Sequence, residues 1–124
     1  MLKYLNGIFT NKTIPSEKTL SVRLSADDNG QPLLNHIGTI IDEYKRHITC
    51  ICFIGGENDQ RELSECCKII HKHGLKTALK TSLTEVSQVN RNLTSVLDFI
   101  SFENGKVYFK DVCPFCDIED WTEL

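Results

Sequence analysis

Residues 48–58 read ITCICFIGGEN and contain the most apolar strand pattern of the chain. Its first part, ITCICFI, is largely apolar and rich in β-branched side chains, which is typical of a strand covered on both faces. Strands of that kind belong to parallel sheets, where crossover helices cover them. The run stops at two glycines and a glutamate, which predicts a turn at the carboxyl end of the strand.

The flanking segments alternate between strand and helix patterns. TLSVRLS (19–25), LKTALKTS (75–82) and SVLDFISF (95–102) each predict a further strand. Apolar residues at helical spacing predict a helix from Leu33 to Tyr44 and a second helix that ends at Gly74, with a short third helix within 83–93. The order β-α-β-α-β-α-β predicts an α/β fold with a mainly parallel four-stranded sheet and flanking helices.

The last part of the chain departs from this alternation. Asn104-Gly105 lies between two strand-like runs, FISF and KVYF, and Asn-Gly is the strongest short hairpin signal. We therefore expect an antiparallel β-hairpin to finish the sheet. No internal repeat or linker divides the sequence, so residues 1–124 are interpreted as a single domain.

Composition excludes several classes of protein. The 124 residues are 40% hydrophobic and 25% charged, a profile of one soluble globular domain. The formal net charge of -3, with scattered Lys and Arg, argues against nucleic-acid binding. No apolar run approaches a membrane span, and the first residues do not resemble a signal peptide. We expect a cytoplasmic protein that binds no membrane.

The six cysteines fall into two groups. Four occupy positions predicted to be core and are interpreted as free thiols: Cys50, Cys52, Cys66 and Cys67. The other two, Cys113 and Cys116, have the two-residue gap that metal and redox sites favour. They are candidates for half of a zinc site that a second copy completes in a homodimer, or for a reversible disulfide, or they are two plain thiols.

Ligands of parallel α/β sheets bind at the carboxyl ends of the strands. Three predicted loops lie there, at 26–31, 55–59 and 81–84. The second is the most informative, because glycines let the backbone approach a ligand and a carboxylate accepts hydrogen bonds from an ammonium or hydroxyl group. Gly55-Gly56-Glu57 is therefore a candidate binding corner, with a plain turn as the alternative.

The segments ITCICFIGGEN and GLKTALKTS, with the helix between them, resemble the radical S-adenosylmethionine activating proteins of anaerobic ribonucleotide reductase, in the short branch found in gut anaerobes. The layout of residues 1–25 and the segment NGQPLLNHIGTIIDEY are also similar. The resemblance implies a partial βα barrel and a glycyl-radical activating enzyme. It also implies that Gly55, Gly56 and Glu57 hold the amino end of S-adenosylmethionine, with Thr81 and Ser82 near the same cofactor.

One departure changes the expected chemistry. In that family, a Cys-x3-Cys-x2-Cys loop after the first strand supplies three thiolates to a [4Fe-4S] cluster. Here the loop is ADDNGQ, which contains no cysteine, and the carboxylates of Asp27 and Asp28 are poor substitutes for thiolates. We therefore expect no cluster, no radical chemistry and no catalytic residues.

Three functional hypotheses follow. The first is a non-catalytic homologue with a regulatory, scaffolding or ligand-binding role, whose partner is the reductase, an intact activating protein or a nucleoside-like ligand such as S-adenosylmethionine. The second is an active enzyme with an unusual or partner-completed cluster. The third is a metal-binding or redox protein that uses Cys113 and Cys116, with zinc as the metal.

Overall fold

A computed structural model of the chain describes residues 5–8, 18–23, 32–55, 60–109 and 122–123. These ranges contain seven β-strands and three α-helices. The strands are Leu5–Ile8 (β1), Thr19–Arg23 (β2), Cys50–Ile54 (β3), Lys76–Lys80 (β4), Phe99–Ser101 (β5), Val107–Phe109 (β6) and Thr122–Glu123 (β7). The helices are Ile37–Tyr44 (α1), Gln60–Lys72 (α2) and Arg91–Thr94 (α3).

The strands form one sheet in the order in which they occur along the chain. The four strands β2 to β5 are parallel, and β1, β6 and β7 pair antiparallel at the two sides. The predicted α/β class, the mainly parallel sheet and the closing hairpin are confirmed. The predicted count of four strands is too low, because short antiparallel strands extend the parallel centre on both sides.

All three described helices pack on one face of the sheet. Each crossover moves to the next strand in the same direction, and right-handed crossovers in one direction place their helices on one side. The core between sheet and helices contains buried side chains from both layers, among them Leu20, Ile51, Leu79, Ile40, Leu63, Ile70 and Leu93. In the described part of the chain, no helix is long and apolar enough to cross a membrane.

The opposite side of the sheet, which we call the helix-free face, has a smaller cluster of its own. Cys50, Cys52, Ala78 and Phe99 are buried there, and the half-buried Phe109 packs against them. Phe99 and Phe109 are stacked with ring centroids 5.1 Å apart. The continuous apolar sequence of β3 is therefore buried on both faces, as predicted.

The helices differ from the prediction in two places. Leu33–Asn35 forms a single 3-10 turn before α1, so the first helix begins at Ile37. The segment 83–93 contains a 3-10 turn at Val86–Gln88 and the four-residue α3 in place of one helix. The Asn90 side chain accepts a hydrogen bond from the Asn92 N–H at 2.8 Å, which caps a new helix start inside the predicted one.

The hairpin between β5 and β6 forms at the predicted Asn-Gly pair. Gly105 has φ +87°, a conformation that glycine adopts without steric cost. The Phe102 N–H donates to the Lys106 carbonyl at 3.0 Å, and the Asn104 side-chain oxygen accepts from the Lys106 N–H at 3.1 Å. These bonds set the register that places Phe109 opposite Phe99.

Candidate functional site

The parallel strands end together at the carboxyl edge of the sheet. Pairing in register places Arg23 beside Ile54, Ile54 beside Lys80, and Lys80 beside Ser101. We call these four residues the edge row. Successive strand residues point to opposite faces, and Arg23 and Lys80 share a face with the buried helix-free cluster. The edge row therefore lies at the carboxyl end of the helix-free face.

Gly55 continues directly from this row. Its φ is +96°, a conformation that L side chains rarely adopt. Its N–H donates to the Lys80 carbonyl at 3.0 Å, and the Thr81 N–H donates to the Ser101 carbonyl at 3.0 Å. The two bonds extend the strand pairing by one residue and bring Gly55 and Thr81 to the same edge.

The structure thus brings together Gly55 and Thr81, two of the residues predicted to bind a cofactor, and Ser82 follows Thr81 in the chain. Gly55 is half-buried, Thr81 is buried and Ser82 is exposed. The Thr81 hydroxyl accepts a hydrogen bond from the Leu83 N–H at 3.2 Å, which holds the turn after β4. Gly56 and Glu57 lie outside the described residues, as do the loop at 26–31 and the pair Cys113 and Cys116.

The charged side chains that β2 to β6 place on the helix-free face have one sign. They are Arg23, Lys76 and Lys80, all exposed and all basic. The Lys76 ammonium lies 5.8 Å from the centroid of the Phe99 ring, a cation–π contact. β2 to β6 contribute no carboxylate to this face, and Asp98, just before β5, lies on the helix side and contacts His71.

Two thiols lie beneath the edge row on the same face. Burial raises the pKa of Cys50 and of Cys52 to about 12, and the positive charge of Lys80 opposes the rise at Cys52. Both side chains have no solvent exposure. Neutral, buried thiols act as small apolar groups, so these two cysteines are core residues, as predicted.

Ser21 adds a polar group to this buried layer. It pairs with Cys52 across β2 and β3 and precedes Arg23 by two residues on the same face. Among the buried side-chain polar atoms of the described residues, the Ser21 hydroxyl oxygen is the one without a hydrogen-bond partner. A buried hydroxyl without a partner lowers stability by an amount on the order of 1 kcal/mol.

The described cysteines do not make a cluster site. Cys66 and Cys67 are buried on the helix side of the sheet, where burial raises the pKa of Cys66 to about 12 and the pKa of Cys67 well above its usual value. The other two lie on the helix-free face, so the four thiols are divided by the sheet. No group of three metal-binding side chains occurs within the described residues. These residues do not fit a [4Fe-4S] cluster.

A second polar cluster, which we call the amino-edge cluster, contains His71, Thr77 and Asp98. His71 Nε2 lies 2.9 Å from Asp98 Oδ2 and 3.1 Å from Thr77 Oγ1. The Thr77 N–H donates to Asp98 Oδ2 at 2.8 Å, and the Thr77 hydroxyl donates to the Val96 carbonyl at 2.7 Å. The cluster joins the end of α2 to the starts of β4 and β5.

Asp98 is ionised within this cluster. Burial raises the pKa of its carboxyl group, but hydrogen bonds from His71 and from the Thr77 backbone outweigh burial, and the net effect lowers the pKa. A cavity of about 410 Å³ opens beside the cluster and is lined by Glu65, Lys68, Ile69, His71, Lys72 and Val96. Its polar groups are largely paired, His71 with Asp98 and Lys68 with Glu65 at 3.4 Å.

Sequence reasoning missed two features of these sites. The basic residues Arg23 and Lys80 were not singled out, although each lies in a predicted strand. Register alone shows that they share a row, and register follows from pairing across the sheet. Asp98 was also missed, because its partner His71 is 27 residues away along the chain.

Comparison with known proteins adds no relative: no family model, curated protein or solved structure gives a significant match to the chain. A function is therefore inferred from the sequence resemblance and from the geometry of the carboxyl edge.

Proposed function

We propose that this protein is a non-catalytic relative of the reductase-activating proteins that binds a small nucleoside-like ligand, such as S-adenosylmethionine, at the carboxyl edge of the helix-free face. One observation carries the proposal: backbone pairing brings Gly55 and Thr81, with Ser82 next in the chain, to this edge. The edge is also where open α/β sheets bind their ligands.

The arrangement of strands and helices supports the same proposal. Four parallel strands in sequential order, with all described helices on one side, form the kind of layer from which a βα barrel is built. We interpret the sheet as a partial barrel whose helix-free face corresponds to the inside. Through ligand binding at that face, the protein regulates the reductase or its intact activating protein, or acts as a scaffold for them.

The non-catalytic part of the proposal follows from the thiols. The loop at 26–31 has no cysteine, and the four described cysteines are buried on two sides of the sheet. S-adenosylmethionine bound here is not cleaved, because no cluster supplies the electron for its cleavage. The chain's own part is to hold the ligand at Gly55, where the missing Cβ and the backbone conformation permit close approach.

The binding test compares two glycines of similar backbone conformation. Gly55 has φ +96° and Gly74, after α2, has φ +76°, so Gly55→Ala and Gly74→Ala each cost about 1 kcal/mol of stability from backbone strain. The melting temperature of each variant is measured with increasing S-adenosylmethionine and, separately, adenosine. We expect ligand to raise the melting temperature of the wild type and of Gly74→Ala, with a much smaller rise for Gly55→Ala.

No rise in the wild type with either compound contradicts ligand binding, and equal rises in both variants contradict the location. Catalysis is tested separately by anaerobic reconstitution with iron and sulfide. We expect far fewer than about four irons per chain and no release of methionine and 5'-deoxyadenosine. Stoichiometric cluster formation with that release supports the active-enzyme hypothesis instead.

A further inference from the structure

The charge of the helix-free face differs from that of the whole protein. The chain has a formal net charge of -3, yet the charged side chains that β2 to β6 place on this face are the three basic residues Arg23, Lys76 and Lys80. Basic side chains on one face favour an anionic partner at that face.

Two of these cations meet at the edge row. Arg23 ends β2 and Lys80 ends β4, with Ile54 of β3 between them in the same register. Two inter-strand spacings separate their backbones by about 10 Å. Both side chains are exposed, and extended Arg and Lys side chains reach far enough to meet over the intervening residue.

The side chains on either side of Ile54 are of the kinds that bind phosphate. An arginine guanidinium presents a planar fork that matches phosphate oxygens, and a lysine ammonium adds a point charge. Gly55 follows Ile54 and has no side chain to block an approach between the two cations. Both cations also make contacts within the chain, so an incoming anion joins or replaces those contacts.

We propose that the edge row is a subsite for the phosphate groups of a small ligand, with Arg23 and Lys80 as its two cationic contacts. This inference deepens the proposed function and rests on it, since it assigns the ligand's charged part to the same edge. A nucleoside carrying two or three phosphates places negative charge on both cations at once, which a neutral nucleoside does not.

The test uses inorganic triphosphate, citrate, ATP and adenosine as probes of the full-length chain, with affinities measured by calorimetry at low ionic strength. We expect triphosphate and ATP to bind, and ATP to bind more tightly than adenosine. Lys80→Gln and Arg23→Gln are each expected to weaken ATP binding about five- to tenfold, because each removes one charge-assisted contact. Added salt weakens ATP binding in the wild type.

Lys68→Gln is the matched control, since it removes the same charge from α2, on the helix side of the sheet. We expect it to leave ATP affinity unchanged. Absence of triphosphate and ATP binding, or equal affinity in wild type and Lys80→Gln, overturns the phosphate subsite. Citrate binding as tightly as triphosphate overturns the assignment to phosphate in favour of carboxylate. Adenosine binding without triphosphate binding overturns the subsite while leaving the proposed function intact.

Discussion

Polar side chains are hydrogen-bonded to one another at the amino edge of the parallel sheet, whereas charged side chains are exposed at its carboxyl edge. At the amino edge, the carboxylate of Asp98 accepts hydrogen bonds from His71 and Thr77, and the Thr77 hydroxyl bonds the Val96 carbonyl. At the carboxyl edge, β2 and β4 end in the exposed cations Arg23 and Lys80, and no carboxylate from β2 to β6 lies on their face.

From this difference we infer that the amino edge stabilises the fold and that the carboxyl edge binds the ligand. Polar groups that satisfy one another hold elements together, and those at the bottom of βα sheets commonly serve the fold. Exposed charged groups at the carboxyl edge change the stability of the fold little, but they contribute to the electrostatic potential where ligands bind. We therefore expect substitutions at the amino edge to change unfolding, and substitutions at the carboxyl edge to change binding.

The largest effect is expected from Asp98→Ala. The substitution leaves the Thr77 N–H and the His71 ring without their acceptor in a site where Asp98 is 19% exposed. We expect the free energy of unfolding, measured by urea denaturation, to fall by about 2–3 kcal/mol. Asp42→Ala is the control, because Asp42 is 72% exposed in a 3.7 Å ion pair, and its effect should stay within about 0.5 kcal/mol. Equal losses in both variants contradict a structural role for the amino edge.

Acid should weaken the same cluster. The folded pKa of Asp98 is lowered below its ordinary value of 3.8, so the unfolded chain binds more protons in the interval between the two values. Stability from Asp98 is therefore fully present above 3.8 and is lost as the pH falls through the folded pKa. Urea denaturation between pH 5 and pH 2 should show a steeper loss in wild type than in Asp98→Asn. Parallel curves for the two proteins argue against an ionised Asp98.

A smaller loss is expected from Thr77→Val, which keeps the shape of the side chain and removes its hydroxyl. The hydroxyl donates to the Val96 carbonyl at 2.7 Å and contacts Asp98, so we expect a loss of about 1 kcal/mol in unfolding free energy. Thr39→Val, at an exposed position of α1, makes the same change without burial and should have almost no effect. A similar loss of unfolding free energy in Thr39→Val would show that the Thr77 hydrogen bond does not explain the loss in Thr77→Val.

The smallest change, and the only gain, is expected beneath the carboxyl edge. Ser21→Ala removes a buried hydroxyl that lacks a hydrogen-bond partner, so stability without ligand should rise by about 0.5–1 kcal/mol. Ser64→Ala is the matched case, because the Ser64 hydroxyl is buried and donates to the Asn92 carbonyl at 3.2 Å. Thermal denaturation should show a gain for Ser21→Ala that Ser64→Ala does not share. A clear loss at Ser21 instead indicates a partner for its hydroxyl.

Sequence patterns predicted the centre of this fold well. The strands β2 to β5 and their parallel order follow from alternating and continuous apolar runs, which report burial directly. The third helix is shorter than the predicted 83–93, because Asn90 and Gln88 form caps that divide the segment into a 3-10 turn and α3. The short strands β1 and β7 were missed, since neither carries a long apolar pattern.

The candidate site was predicted in part. Gly55 was proposed as a site residue because strand ends and glycines can be read locally, and Thr81 and Ser82 were proposed through the family resemblance. Arg23 and Lys80 were not, because their common row depends on pairing between strands that are more than 20 residues apart in sequence. Residues Gly56, Glu57, Cys113 and Cys116 lie outside the described residues, and the predictions made for them stand as predictions.

Ligand binding at the carboxyl edge is tested residue by residue with a ¹⁵N–¹H NMR titration of the wild-type chain with S-adenosylmethionine and, separately, ATP. We predict that the backbone amides of Arg23, Ile54, Gly55, Lys80 and Thr81 shift with ligand concentration. The amides of the amino-edge cluster should stay unchanged. Chemical-shift changes concentrated around His71 and Asp98, or no changes at millimolar ligand, contradict ligand binding at the carboxyl edge.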